Sequence, residues 1–223
     1  MNASMIGRLV YKDWHLMRWP IAMYLAGAAV AMGLILFGTD ASFFAAIVLI
    51  CTVALATGIH LAIGTVVEER TRGTLSFVMS LPVTPGDYSL AKVIANVSIF
   101  LLVWGVLAIG MIGIFAIPGT PHGVIPWAAV VLGILFSGYA LTFAAAMISE
   151  SMPWTIGAMI AANFSLQATF YFVSHFTDIG KQLHSKAFVW TPTATAIVTG
   201  EMLAVVAFFG LAIVVQSRRR DFV

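Results

Sequence analysis

Charge is what this sequence lacks. Only 9% of its 223 residues are Asp, Glu, Lys or Arg, where a soluble domain carries about 25%. That scarcity, with 61% hydrophobic residues and a mean hydropathy of +1.02, excludes a water-soluble globular domain. The net charge of +2 is too small to point to nucleic acid. Cysteine is nearly absent: Cys51 stands alone in an apolar run, so no internal disulfide forms and the redox compartment is not legible. The phosphate-cradling pattern G-x-x-x-x-G-K-[ST] is missing, and the single Gly-Lys pair, Gly180-Lys181, falls in a loop. A nucleotide used by a complex containing this chain therefore binds another polypeptide. His60, His122, His175 and His184 show no close metal-ligand spacing, and His15 lies far from them. No metal and no catalytic residue is assigned. A membrane-embedded enzyme built on His175, Asp178 and His184 would rest on three loop residues, which do not define a site.

What remains is apolar sequence in long runs, each near the roughly 20 residues that cross hydrocarbon. The expected fold is an all-α integral membrane protein, one transmembrane domain over 1–223, with six spans: Pro20–Gly38, Phe43–Val66, Val93–Ile117, Val124–Ser149, Trp154–Phe176 and Ala196–Gln216. Pro20 suits a helix start, where its missing N–H costs nothing. Residues 4–19 place Ile6, Leu9, Val10, Trp14 and Met17 on one helical face and Arg8, Lys12 and His15 on the other. That pattern predicts an amphipathic helix lying in the membrane interface, its cations toward water and lipid phosphates. A signal peptide is the alternative, but the apolar run that follows exceeds an h-region of about 7–15 residues and further spans come after it.

Positive charge orients the chain. With six spans and both termini inside, the inner side holds Arg8, Lys12, Arg18, Arg70, Arg72, Lys92, Arg218, Arg219 and Arg220, and the outer side holds only Lys181 and Lys186. The bias predicts a multi-pass protein of the cell's inner (cytoplasmic) membrane with both termini cytoplasmic. Outer loops are short, leaving no room for an external domain.

The long polar interruption of the first half is 67–92. It holds Glu68, Glu69, Asp87, Arg70, Arg72 and Lys92. Inside it Gly73-Thr74 leads into Leu75–Leu81, which Pro82 ends, and Leu75, Val78 and Met79 share a side at i, i+3, i+4. A two-turn helix with an apolar face outside the bilayer either docks on a partner or folds back on the membrane surface. Glu68 and Glu69 end the second span, where Arg8, Lys12 or Arg18 of the N-terminal segment is placed to pair with them. The alternative is a solvated cluster worth little.

The run Glu69-Arg-Thr-Arg-Gly-Thr-Leu-Ser-Phe-Val-Met-Ser-Leu-Pro-Val83, continued by Asp87-Tyr88 and Ala91-Lys92, resembles the signature of ABC-2 type transporter permeases. The position between the second and third spans matches as well. The resemblance implies the membrane subunit of an ATP-driven exporter. Gly73, Thr74, Leu75, Val78, Met79 and Leu81 would then belong to a coupling helix seated in a cytoplasmic ABC ATPase. It also implies a second copy of this chain in a 2+2 complex, ATP and Mg on the ATPase, no cofactor on this chain, and short re-entrant helices in 177–195. Glu68, Glu69 and Arg70 would form the charge cluster beside the coupling helix. A membrane component of cytochrome c maturation is a neighbouring possibility, though no tryptophan-rich haem-handling motif is present. A non-transporting scaffold or immunity protein would use the same docking segment. A secondary transporter would need an ion-coupling site, and the spans are expected to lack buried acids.

Polar residues inside spans are costly and so point to function or to helix packing. His60 is either a pathway residue or a packing histidine. Asn163 and Gln167, four apart, share a face with Phe164 nearby, and either bond substrate or hold helices together. Similarity to the exporters, whose cavity lies between the second and fifth spans, favours a substrate pathway at Thr57, His60, Asn163, Phe164 and Gln167. Ala54, Gly58 and Ala62 offer a small-residue packing seam, and Glu150 and Glu201 are expected at membrane interfaces.

Overall fold

A computed structural model of the chain describes residues 3–71, 84–117, 120–183 and 185–218. Among them it is all-helical. The helices are α1 (Ala3–Leu36), α2 (Asp40–Ala62), the π-helical turn Ile63–Val67, α3 (Glu68–Thr71), α4 (Pro85–Phe115), α5 (Val124–Ser149), α6 (Met152–Phe176), α7 (Asp178–Lys181) and α8 (Pro192–Arg218). Six of these stretches are long and apolar enough to cross a membrane, and the chain is read as a multi-pass membrane protein. The expected docking residues Gly73, Thr74, Leu75, Val78, Met79 and Leu81 lie outside the described residues.

The first helix differs from its sequence reading. The interfacial segment 4–19 and the first span are one continuous helix of 34 residues, with Pro20 in its interior rather than at its start. An internal proline removes a backbone hydrogen bond and costs roughly 3 kcal/mol. What offsets it is a single buried stripe, Ile6, Leu9, Asp13, Met17, Ile21, Ala28, Ala31 and Ile35, which runs past Pro20 without changing face. Splitting the helix at Pro20 would interrupt that stripe, which packs on α4 and α2.

Local chemistry sets the other ends. Gly38 takes a left-handed φ of 68° in the turn after α1, a conformation glycine adopts without penalty. Thr39 then caps α2 in a reciprocal capping box with Ser42. Thr84 caps α4, its Oγ1 accepting from the Asp87 N–H at 3.2 Å, and Pro85 occupies the first turn. This cap starts α4 eight residues before the Val93 expected for the third span, and the extra two turns carry Tyr88 and Lys92 into the bundle. Helix α5 has the bounds the sequence suggested. It is the central helix, contacting α2, α4, α6 and α8. Its face toward α4 and α8 is aromatic: Tyr139 stacks on Phe100 at 3.9 Å between ring centres, with Phe136, Phe143 and Phe209 around the pair. The seam on α2 is a packing face, since Ala54, Gly58 and Ala62 are buried and Gly58 lies against the Tyr139 ring. Within 177–195, the described residues form the single turn α7 and irregular chain before α8.

Candidate functional site

The N-terminal part of α1, the end of α2 with α3, and the first turns of α4 meet at one end of the bundle. Four charged side chains are packed between them. Lys92 of α4, 1% exposed, donates to both Asp13 oxygens at 2.8 and 3.1 Å and lies 2.9 Å from Glu69 Oε1. Lys12 bonds the same Glu69 oxygen and lies 3.4 Å from Asp13. Tyr88 donates its hydroxyl to Glu69 Oε2 at 2.8 Å, and the Lys92 ammonium stands 5.6 Å from the Tyr88 ring centre. The two cations and two carboxylates sum to zero charge. Pairing of this kind favours the burial, because removing isolated charges from water costs several kcal/mol per ion. Burial pushes the Glu69 carboxyl up, but the Lys92 charge and the hydrogen bonds from Lys12 and Lys92 outweigh it and hold Glu69 below the usual carboxylate range.

A second set of bonds fixes the backbone beneath the cluster. The α2 ladder widens into the π turn Ile63–Val67, and single π turns of this kind recur at functional sites. Thr65 in this turn bonds the Leu61 carbonyl at 2.7 Å and Asn96 Oδ1 at 2.9 Å, while Asn96 Nδ2 donates to the Lys92 carbonyl at 2.9 Å. Trp14 of α1 donates to Ser98 of α4 at 3.0 Å. Glu69 precedes residues 72–83 in the sequence and Tyr88 follows them, and both belong to one buried network with α1.

Of the expected cluster residues, Glu69 is at the centre, Glu68 is part-buried next to it, and the Arg70 side chain lies outside the described residues. Lys12, rather than Arg8 or Arg18, supplies the N-terminal cation. Asp13 and the Lys92 contact to it were not expected from sequence. Each is a lone charge set inside an apolar helical stripe, and that is the pattern that could have drawn notice.

The expected pathway residues divide into two groups. Thr57 is buried, donates to the Val53 carbonyl at 2.7 Å, and with His60 borders a narrow cleft against Met17, Ile21 and Tyr24 of α1. His60 Nδ1 is 3.0 Å from the Tyr24 hydroxyl. Asn163, Phe164 and Gln167 are exposed on α6. Asn163 borders a cavity of about 150 Å³ between α2, α5 and α6, lined chiefly by apolar groups including Ala54, Gly58, Leu135 and Ile160. Thr57 and His60 thus face α1, whereas Asn163 belongs to the cavity on the other side of α2.

Comparison with protein-family models, with curated proteins and with solved structures finds no match to this chain.

Proposed function

We propose that this chain is the membrane subunit of an ATP-driven exporter of the ABC-2 type, paired with a second copy of itself and with cytoplasmic ABC ATPase subunits that carry ATP and Mg. The observation that carries the reading is the buried network in which Glu69 of α3 and Tyr88 and Lys92 of α4 meet Lys12 and Asp13 of α1. A segment that receives a push from an ATPase must pass it to the spans, and this network ties Lys12, Asp13, Glu69 and Lys92 together across three helices. Its orientation would be cytoplasmic, where Arg8, Lys12, Arg18 and Lys92 satisfy the positive-inside rule. The apolar cavity beside Asn163 and the exposed amide of Gln167 suit an amphipathic or lipid-like substrate, a drug or a peptide. An apolar wall binds the body of such a molecule and a few polar groups orient it.

The test is efflux from cells or vesicles carrying this chain and its candidate ATPase. Export should vanish when either is removed and when the ATPase's catalytic carboxylate is replaced. Export that persists with an inactive ATPase would refute the reading, and docking without any export would place the chain among non-transporting scaffolds.

A further inference from the structure

Glu201 is buried well inside an apolar helix rather than at its end, so the expectation that the spans lack buried acids does not hold. Helix α8 begins at Pro192, so Glu201 lies nine residues inside it, about 14 Å along the axis at 1.5 Å per residue. Gln216, the last residue of that span, is fifteen positions further on. The side chain is 8% exposed. Its Oε2 is buried and has no hydrogen-bond partner among the described residues. The carboxyl is seated on α5 against Gly133, where a methyl group would overlap Oε2. A glycine at that position is what lets the carboxyl enter the α5–α8 contact.

No described cation approaches it. Helix α8 packs on α5, α4 and α7. From Val124 to Ser149, α5 carries no charged residue, and its one titratable side chain is Tyr139, nearly two turns from Gly133. In α4 the stretch from Val93 to Phe115 has neither, and α7 contributes Asp178 and Lys181 at the far end of the bundle. Elsewhere in α8 the nearest charge is Arg218. A bare carboxylate in such surroundings costs more than a neutral acid, and an ionisable residue kept within a span is retained against that cost.

We propose that Glu201 is a proton-binding site, holding a proton while α5 and α8 are packed at Gly133 and releasing it to water when they part. In release the O–H bond breaks, the electron pair stays on the carboxylate, and water takes the proton. The ligand is the proton itself, so the site would couple the α5–α8 packing to proton exchange. The inference goes beyond the exporter reading and does not rest on it.

The test uses the full chain alone, without an ATPase, so its failure is separable from failure of the exporter reading. Folded protein in nanodiscs, in weakly buffered solution at neutral pH, is unfolded with SDS while a pH dye records proton release. Wild type should release about one proton per chain more than Glu201→Gln, since an exposed glutamate with a pKa near 4.3 is fully ionised there. Equal release from two chains that were both folded beforehand would overturn the site. Should Glu201→Gln fail to fold, infrared spectra of wild type and Gly133→Ala decide. The native chain should show a carboxylic-acid C=O band, displaced or lost in Gly133→Ala. Absence of the band, or a band indifferent to Gly133→Ala, would overturn the proposal.

Discussion

Replacing Lys92 with methionine keeps the volume of the side chain and removes its charge from beneath two carboxylates. Among the described contacts, Asp13, 1% exposed, then keeps Lys12 at 3.4 Å, and Glu69 keeps Lys12 and Tyr88. Among these described residues one cation then faces two buried anions. Breaking a buried ion pair from one side costs about 3–5 kcal/mol, because the remaining charge stays desolvated. For a chain of this size that corresponds to roughly 10 °C of melting temperature. Lys12→Met removes the same formal charge from the same pair, but the Lys12 side chain is 43% exposed. Solvent screens its contribution to about 1 kcal/mol or less. The assay is thermal unfolding in detergent, followed by reaction of a thiol dye with the single Cys51. Lys92→Met should melt well below Lys12→Met, and adding Asp13→Asn to Lys92→Met should recover most of the loss by restoring charge balance. Equal melting of the two lysine variants, or no recovery in the double variant, would refute the argument that charge pairing favours the burial.

Three further outcomes follow from the same geometry. Glu69 has its folded pKa held below the unfolded value, so the stability it contributes is present above the unfolded pKa of about 4.3 and is lost as pH falls through the folded value. Melting temperature followed from neutral into acid should therefore drop more steeply for wild type than for Glu69→Gln, and parallel curves would contradict it. Gly58→Leu forces atoms into the Tyr139 ring, which is backed by Phe100, and should lower stability by about 1–3 kcal/mol in the same melting assay, the usual cost of overpacking. Asn163→Ala and Gln167→Ala alter exposed α6 side chains. They should leave melting unchanged while lowering substrate-stimulated ATPase activity of the assembled complex, and a melting loss without a change in stimulation would assign the amides to helix packing.

Span number, the bounds of α5 and the small-residue face of α2 were legible because each is written in local periodicity and composition. Helix continuity at Pro20 was not. A proline is a local stop signal, whereas the stripe that overrides it is defined by two partner helices distant in sequence. The pairing of Glu69 with an N-terminal cation could be anticipated, since both lie at span ends that carry charge. The Lys92–Asp13 contact spans 79 positions and depended on α4 starting at Thr84-Pro85, a cap hidden inside what reads as a polar loop. Glu201 was misplaced for a related reason. Helix α8 starts at Pro192, four residues before the expected Ala196, which sets the carboxyl deeper in the helix. Thr57 of α2 faces the cleft against α1, whereas Asn163 of α6 borders the cavity on the other side of α2, a separation that spacing within single helices does not encode.

The most direct test of the exporter reading is capture of a candidate ATPase by the purified chain, wild type against Leu75→Arg and Met79→Arg. Stable capture by wild type and loss in both variants, each still folded in the membrane, are expected. Capture unchanged by both substitutions, or no capture of any cellular ATPase by the wild-type chain, would contradict it.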